Sequence, residues 1–190
     1  MNKHKCEWAL GHFDAYENYH DQEWGVPCHD DKIHFEFLIL ESAQAGLSWS
    51  TVLKKRAGYQ LAFANFEVNQ VAQFDESQIA TLMINPAIIR NEQKIRAAVN
   101  NAQRFLEVQQ EFSSFSKYIW SFVGDQPIVG HWATKQDVPA TTAESDALSK
   151  DLKKRGFKFV GSTTIYAHMQ ATGLVNDHTT DCYRYQELLR

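Results

Sequence analysis

Residues 145–172 read SDALSKDLKKRGFKFVGSTTIYAHMQAT, and they divide into a helix, a short turn and a second helix. Thr141 or Thr142 stands before the first helix as a cap, and Gly156 ends it. The turn RGFKFVG is bounded by glycines, and Gly161 with Ser162 opens the second helix, TTIYAHMQATG. A helix start leaves amide donors without intrahelical partners, here those of Gly161, Ser162 and Thr163. Such amides take phosphate oxygens readily. Lys153, Lys154 and Arg155 stand beside them. An ordinary αα-hairpin satisfies the same pattern.

Outward from this hairpin the signals stay helical. Asp30 or Asp31 caps a helix through KIHFEFLILESAQA, which Gly46 ends, and Ser48 caps a second, WSTVLKKRAGYQLAF. Ile79, Leu82 and Met83 predict a helix over 75–84 with Asp75 as its cap, and NPAII breaks the pattern at Pro86. From Asn91, NEQKIRAAVNNAQRFLEVQQEF is amphipathic, with Ile95, Val99, Ala102 and Leu106 on its apolar stripe. Residues 124–144, with Gly124, Pro127, Gly130 and Pro139, show no period and read as a loop. No stretch alternates like a strand and no repeat recurs, so the expected fold is all-α.

A chain of 190 residues buries a sizeable core without staples. No apolar run is long enough to span a membrane, and MNKHKCEWAL has no apolar stretch behind its basic residues. The expected compartment is therefore the reducing cytoplasm, with the three cysteines unbridged. A net charge of −4 argues against holding nucleic acid by the overall field and leaves local patches to do so. Three basic clusters stand out: KDLKKRGFK at 150–158, then Lys54, Lys55 and Arg56, then Arg90, Lys94 and Arg96. Each also reads as a solvated helix face.

Two features carry chemistry. In FLILESAQAGLSW, residues 37–49, Glu41 interrupts an apolar run. A carboxylate there has to be paired, hydrogen-bonded or neutralised if it is buried. In NDHTTDCYR, His178 and Cys182 are spaced to reach one ion, and Cys6 and His20 can complete a closed Cys₂His₂ site. His4, His12, His29 and Cys28 compete for those places, and spacing alone does not choose among them.

Taken in chain order, CEWALGHFDAYENYHDQEWGVP, LESAQAGLSWSTVLKKR, NPAIIRNEQKIRA and SDALSKDLKKRGFKFVGSTTIYAHMQATGLVNDH resemble the DNA-3-methyladenine glycosylase I family, from about Cys6 to Cys182. The hairpin resembles the helix-hairpin-helix element of DNA-repair glycosylases, although FKFVG departs from the commoner LPGVG. The resemblance implies an all-α glycosylase of that superfamily, one unit with a helical core over about 30–172. Terminal segments of about 1–28 and 173–190 would be joined at a structural zinc held by Cys6, His20, His178 and Cys182, with Cys28 outside the set.

The implied activity is monofunctional hydrolysis of the N-glycosidic bond of 3-methyladenine in alkylated double-stranded DNA, by a monomer, leaving an abasic site. The base must first leave the stack. On the family pattern Tyr16 and Trp49 stack on it, Tyr19 and Trp24 line the same pocket, and Trp8 belongs to the core. Glu41 would recognise the cationic base and stabilise charge, while Asp177, adjoining His178, is assigned no catalytic role. Lys153, Lys154, Arg155, Gly161 and Ser162 would face the DNA backbone, helped by Arg90 and Lys94. A non-catalytic binder of damaged DNA is the alternative. A glycosylase/lyase would need an amine by the pocket, and no lysine lies between residues 33 and 53. The stretch YRYQELLR after Cys182 matches no part of the family pattern.

Overall fold

The computed structural model describes residues 3–189. Its helices are α1 (Asp14–Gln22), α2 (Asp31–Gln44), α3 (Trp49–Leu53), α4 (Arg56–Ala62), α5 (Val68–Val71) and α6 (Glu76–Ile84). They continue as α7 (Glu92–Phe112), α8 (Phe115–Trp120), α9 (Ala143–Lys154), α10 (Ser162–Ala171) and α11 (Tyr183–Glu187). The expected caps Asp30, Ser48, Asp75 and Thr142 are in place, each accepting a backbone N–H of the first turn that follows, and Asn91 does the same for α7.

Helix α2 is the axis of the molecule. It is buried from His34 to Ala43 apart from Glu36, so it needs neighbours on nearly every side. It packs against α7, α8 and α10. The long α7 lays Ile95, Ala98, Val99, Ala102, Phe105 and Val108 onto this core. At the α2–α10 contact two fully buried histidines meet, His34 Nδ1 lying 3.2 Å from His168 Nε2.

Three local expectations change. The stretch after Ser48 is two helices, not one, with Lys55 at φ −101°, ψ 0° between them. The bend is held from outside: Lys55 Nζ donates to Pro86 O at 2.7 Å, and Gly58 sits so close to Ala87 that a Cβ would come within 2.3 Å of its carbonyl. On α7, Phe105 rather than Leu106 is fully buried, because Ala98, Ala102 and Phe105 lie near the centre of the buried arc and Leu106, one residue on, is turned to its margin. The loop over 124–144 contains a short strand, β1 (Ile128–Val129), paired in parallel with β2 (Val175–Asn176). Two residues per strand are too few to show alternation in a sequence.

The N-terminal segment crosses the end of α10 in contact with backbone. Gly25 N donates to Gln170 O and Cys28 N to Thr172 O. Gly173 lies at φ +71° directly under this crossing, where a Cβ would meet Val26 C at 2.2 Å. That crossing brings α1 beside the segment carrying His178.

Candidate active site and metal centre

Helix α1 serves two sites from one face. Tyr16, Tyr19 and His20 follow at helical spacing, so all three side chains are buried on the side toward α10 and the C-terminal segment. The tyrosines face a cavity and the histidine faces a cluster of sulfur and nitrogen atoms.

That cluster is Cys6, His20, His178 and Cys182, all buried, with every donor atom within 4.8 Å of the others. Cys6 Sγ lies 3.4 Å and Cys182 Sγ 3.6 Å from His178 Nδ1, and Cys182 Sγ lies 3.5 Å from His20 Nε2. A tetrahedral metal with sulfur ligands at about 2.3 Å and nitrogen ligands at about 2.0–2.1 Å sets them about 3.5 Å apart. The outer contacts fit as well. His20 Nδ1–H donates to Asp21 Oδ1 at 2.8 Å and His178 Nε2–H to Trp24 O at 3.0 Å, leaving the unprotonated nitrogen of each ring turned into the cluster. Thr179 donates through both N and Oγ1 to Cys6 Sγ. Of the competing residues, His4 pairs with Asp181, His12 stacks on Tyr16, His29 packs on Trp120, and Cys28 is elsewhere.

Beside the cluster is a cavity of about 370 Å³. Its walls are Trp8, Tyr16, Tyr19, Trp24 and Trp49, with Glu41 and Asp177, and further contributions from Gln44, Ala167, Gln170, Thr179, Lys135 and Val138. All four aromatics expected there are present. Trp8, expected in the core, packs against the core cluster around Tyr16 and Trp24 and also forms a wall, partly exposed and edge-on to Trp24 at 4.8 Å and to Tyr16 at 5.8 Å. Tyr19 and Trp49 lie 5.1 Å apart and Trp49 stacks over Phe37 at 6.3 Å. The indole Nε1 of Trp49 is buried with no partner among the described residues.

The two carboxyl groups in the cavity differ. Glu41 is 5% exposed, and no group among the described residues hydrogen-bonds its carboxyl. Burial alone pushes its pKa up to about 8, so it is mostly protonated at neutral pH. Asp177 is equally buried but fully served: Trp132 Nε1, Gln170 Nε2 and the Tyr166 hydroxyl donate to it, the first two at 2.7 and 2.9 Å. Its acceptor capacity is spent on protein groups, which makes it a brace. Helical spacing relates Tyr166 to Gln170, but nothing in the unpatterned loop pointed to Trp132. The same loop brings Lys135 to the cavity, so the lack of a lysine between residues 33 and 53 does not keep amines from it.

The hairpin is α9–α10. Its turn is clamped from α7: Asn101 bonds both N and O of Lys158, and Asn100 donates to Gly156 O. Phe159 takes φ +56°, a left-handed conformation, at the place of the glycine in LPGVG. Gly161 caps α10 with open space where a Cβ would be, and the Ser162 hydroxyl donates to Asp146. Lys153, Lys154 and Lys158 are exposed. Arg155 is spent on Glu111 and Asp151 and lies over Phe112 and Tyr118. Lys94 is likewise committed, donating to Ala43 O and Ala45 O at the end of α2. Arg90 is exposed.

Residues 8–185 match the methyladenine glycosylase family. The chain is 48% identical over 181 residues to DNA-3-methyladenine glycosylase 1 of Escherichia coli (strain K12), covering 95% of this chain and 96% of that one. A crystal structure of 3-methyladenine DNA glycosylase I superposes with a TM-score of 0.92 at 47% identity, over 95% of this chain and 98% of the other. A tyrosine-to-phenylalanine variant of 3-methyladenine DNA glycosylase I in complex with 3-methyladenine superposes at 0.91 and 40% identity, over 94% and 96%.

Proposed function

The chain belongs to the methyladenine glycosylase family, and from that premise we propose that it excises 3-methyladenine from alkylated double-stranded DNA by hydrolysing the N-glycosidic bond, leaving an abasic site. The observation that carries the site assignment is Glu41, a buried carboxyl group without a protein partner in a cavity walled by aromatic rings. Methylation at N3 makes the attached adenine a cation. A cation entering the cavity supplies the counter-charge Glu41 lacks and favours its ionised form. The faces of Tyr16, Tyr19, Trp24 and Trp49 add cation–π attraction and stacking area. Trp49 Nε1 is a donor with no other use.

The chemistry needs little more. Water adds at C1′, the C1′–N9 bond breaks, and the bonding pair leaves with the base and cancels its charge. One proton is released from the water. Because the leaving group is already activated, recognition of the cation supports much of the rate. No lysine nucleophile is required, and the enzyme is a monofunctional glycosylase.

Backbone phosphates are assigned to the hairpin amides of Gly161 and Ser162, with Lys153 and Lys154 beside them. Arg155 contributes by fixing α9 through its ion pairs. Cys6, His20, His178 and Cys182 would hold zinc. Four thiol and imidazole donors with no open position suit a structural ion, which here would lock the terminal segments together. The cavity and the cluster are each complete within one chain, which supports a monomer acting as one unit. No helix among the described residues is long and apolar enough to cross a membrane. The unbridged cysteines favour the cytoplasm.

The test is base release from methylated duplex DNA, separated by chromatography, with Glu41→Gln alongside. Release of 3-methyladenine by the wild type and its reduction in the variant support the assignment. No release from folded, metal-loaded protein that still binds damaged DNA would overturn it in favour of a lesion binder.

A further inference from the structure

We propose that Lys135 is a positioning residue that grips the phosphodiester beside the flipped nucleotide, an inference that rests on the base-excision reading above. Lys135, exposed yet lining the cavity, marks its open edge, and it lies on a strap, residues 130–138, tied to residues 176–180. Gly130 N donates to Asn176 O, Thr180 N donates to Trp132 O, and Trp132 Nε1 donates to Asp177. The turn carrying Lys135 is itself closed by Thr134, which donates to Asp137 through N and Oγ1 at 2.8 and 2.9 Å. Lys135 and Val138 are what this strap contributes to the cavity wall.

Among the described residues lining the cavity, Lys135 is the only basic one. It is exposed, and no described carboxylate lies within ion-pair distance of it, whereas Arg56, Arg96, Arg155 and Arg184 are all paired. An ammonium deep in the cavity would repel a cationic base. At the open edge its natural counterpart is an anion. The substrate has that charge order: a cationic base that enters, then a sugar, then phosphates that must stay outside. Glu41 and Asp177 within and Lys135 at the edge form the complementary sequence of charges along the same path. Because the strap is bonded to Asp177 through Trp132, the backbone that carries Lys135 is fixed beside the cavity.

The experiment compares wild type with Lys135→Ala, Lys135→Gln and Lys135→Arg. The readouts are affinity for a duplex carrying a stable abasic-site analogue over a range of salt, and inhibition by free 3-methyladenine. We expect Ala and Gln to weaken duplex binding several-fold and to flatten the log–log salt dependence by about 0.9, the increment for one phosphate contact. Arg should retain both, and inhibition by the free base should not change in any variant. An unchanged salt slope in Ala and Gln overturns the proposal. So does tighter binding of the free base by Lys135→Gln, because the ammonium would then act on the base or on Glu41. Failure of the excision reading shows separately, as no base release by the wild type, and it leaves these binding slopes interpretable.

Discussion

Cys182 Sγ stands 3.5 Å from His20 Nε2 across 162 residues of chain. A metal at that junction would tie two segments that otherwise meet through backbone and side-chain bonds such as Tyr183 N to His4 O, so its binding energy would be folding energy for both. Stripping the metal with a strong chelator, or replacing Cys182 by Ala, is expected to lower the melting temperature by about 10 °C or more. Limited proteolysis should then cut first within residues 3–28. Calorimetry and mass mapping of the fragments check both.

Glu41→Gln should cost activity and raise stability. Below about pH 4.5 folded and unfolded chains both keep this proton. Between there and about 8 the unfolded chain releases it and the folded chain does not, so Glu41 destabilises the empty fold increasingly as pH rises through that window. Each pH unit crossed within the window is worth about 1.4 kcal/mol. Removing the titration is therefore expected to add a few kcal/mol at pH 8 and nearly nothing at pH 4.5. Denaturant melts at the two pH values test the difference.

The same titration predicts a rate profile. If the ionised carboxylate is the productive form, kcat/KM for excision rises with pH and levels off above about 8, the value for the free enzyme. The Glu41→Gln variant, slower throughout, should lack that rise. A rise of equal size in the variant would assign the titration to another group.

Gly130→Ala is expected to cost about 2 kcal/mol or more. A Cβ there would come within 2.1 Å of Trp132 Nε1 and 2.6 Å of Asp177 Oδ1. The strap must lift, so excision should fall along with stability. Ala at Gly161, where a Cβ meets nothing, is the control for stability.

His34 and His168 should stay neutral through the physiological range. Burial pulls His34 down to about 4 and His168 well below its ordinary value. As pH falls from about 6.5 the unfolded chain takes up these protons and the folded chain does not, so stability declines toward acid. Imidazole proton resonances that do not move between pH 5.5 and 7.5, and that are lost in His34→Gln or His168→Gln, would check this.

Much of the scaffold was legible because its determinants are local. Asp75 with Gln78, Asn91 with the stripe after it, and Thr142 with Ser145 each announce a helix within one turn of sequence. The metal set was legible only through the family resemblance, since the four ligands lie in three separate segments and other histidines had plausible spacing. What stayed hidden depends on distant partners. Arg155 reads as a free cation until Glu111, 44 residues away, is seen to hold it. Trp132 and Lys135 sit in a stretch with no period, and its path is set by bonds to residues 176–180. Trp8 shows no preference for core or wall in a sequence, because a tryptophan packs well in either.

The cavity draws its walls from Trp8 to Trp49, from Lys135 and Val138, and from Ala167 to Thr179, and its neighbouring latch closes only at Cys182. During synthesis the first set of walls leaves the ribosome more than a hundred residues before the last. At about 5–20 residues per second, the aromatic face of α1 waits seconds for its other half. A chain interrupted between about residues 50 and 177 would display that face, together with Glu41, as an unfinished groove, which makes such fragments natural clients for chaperones and proteases.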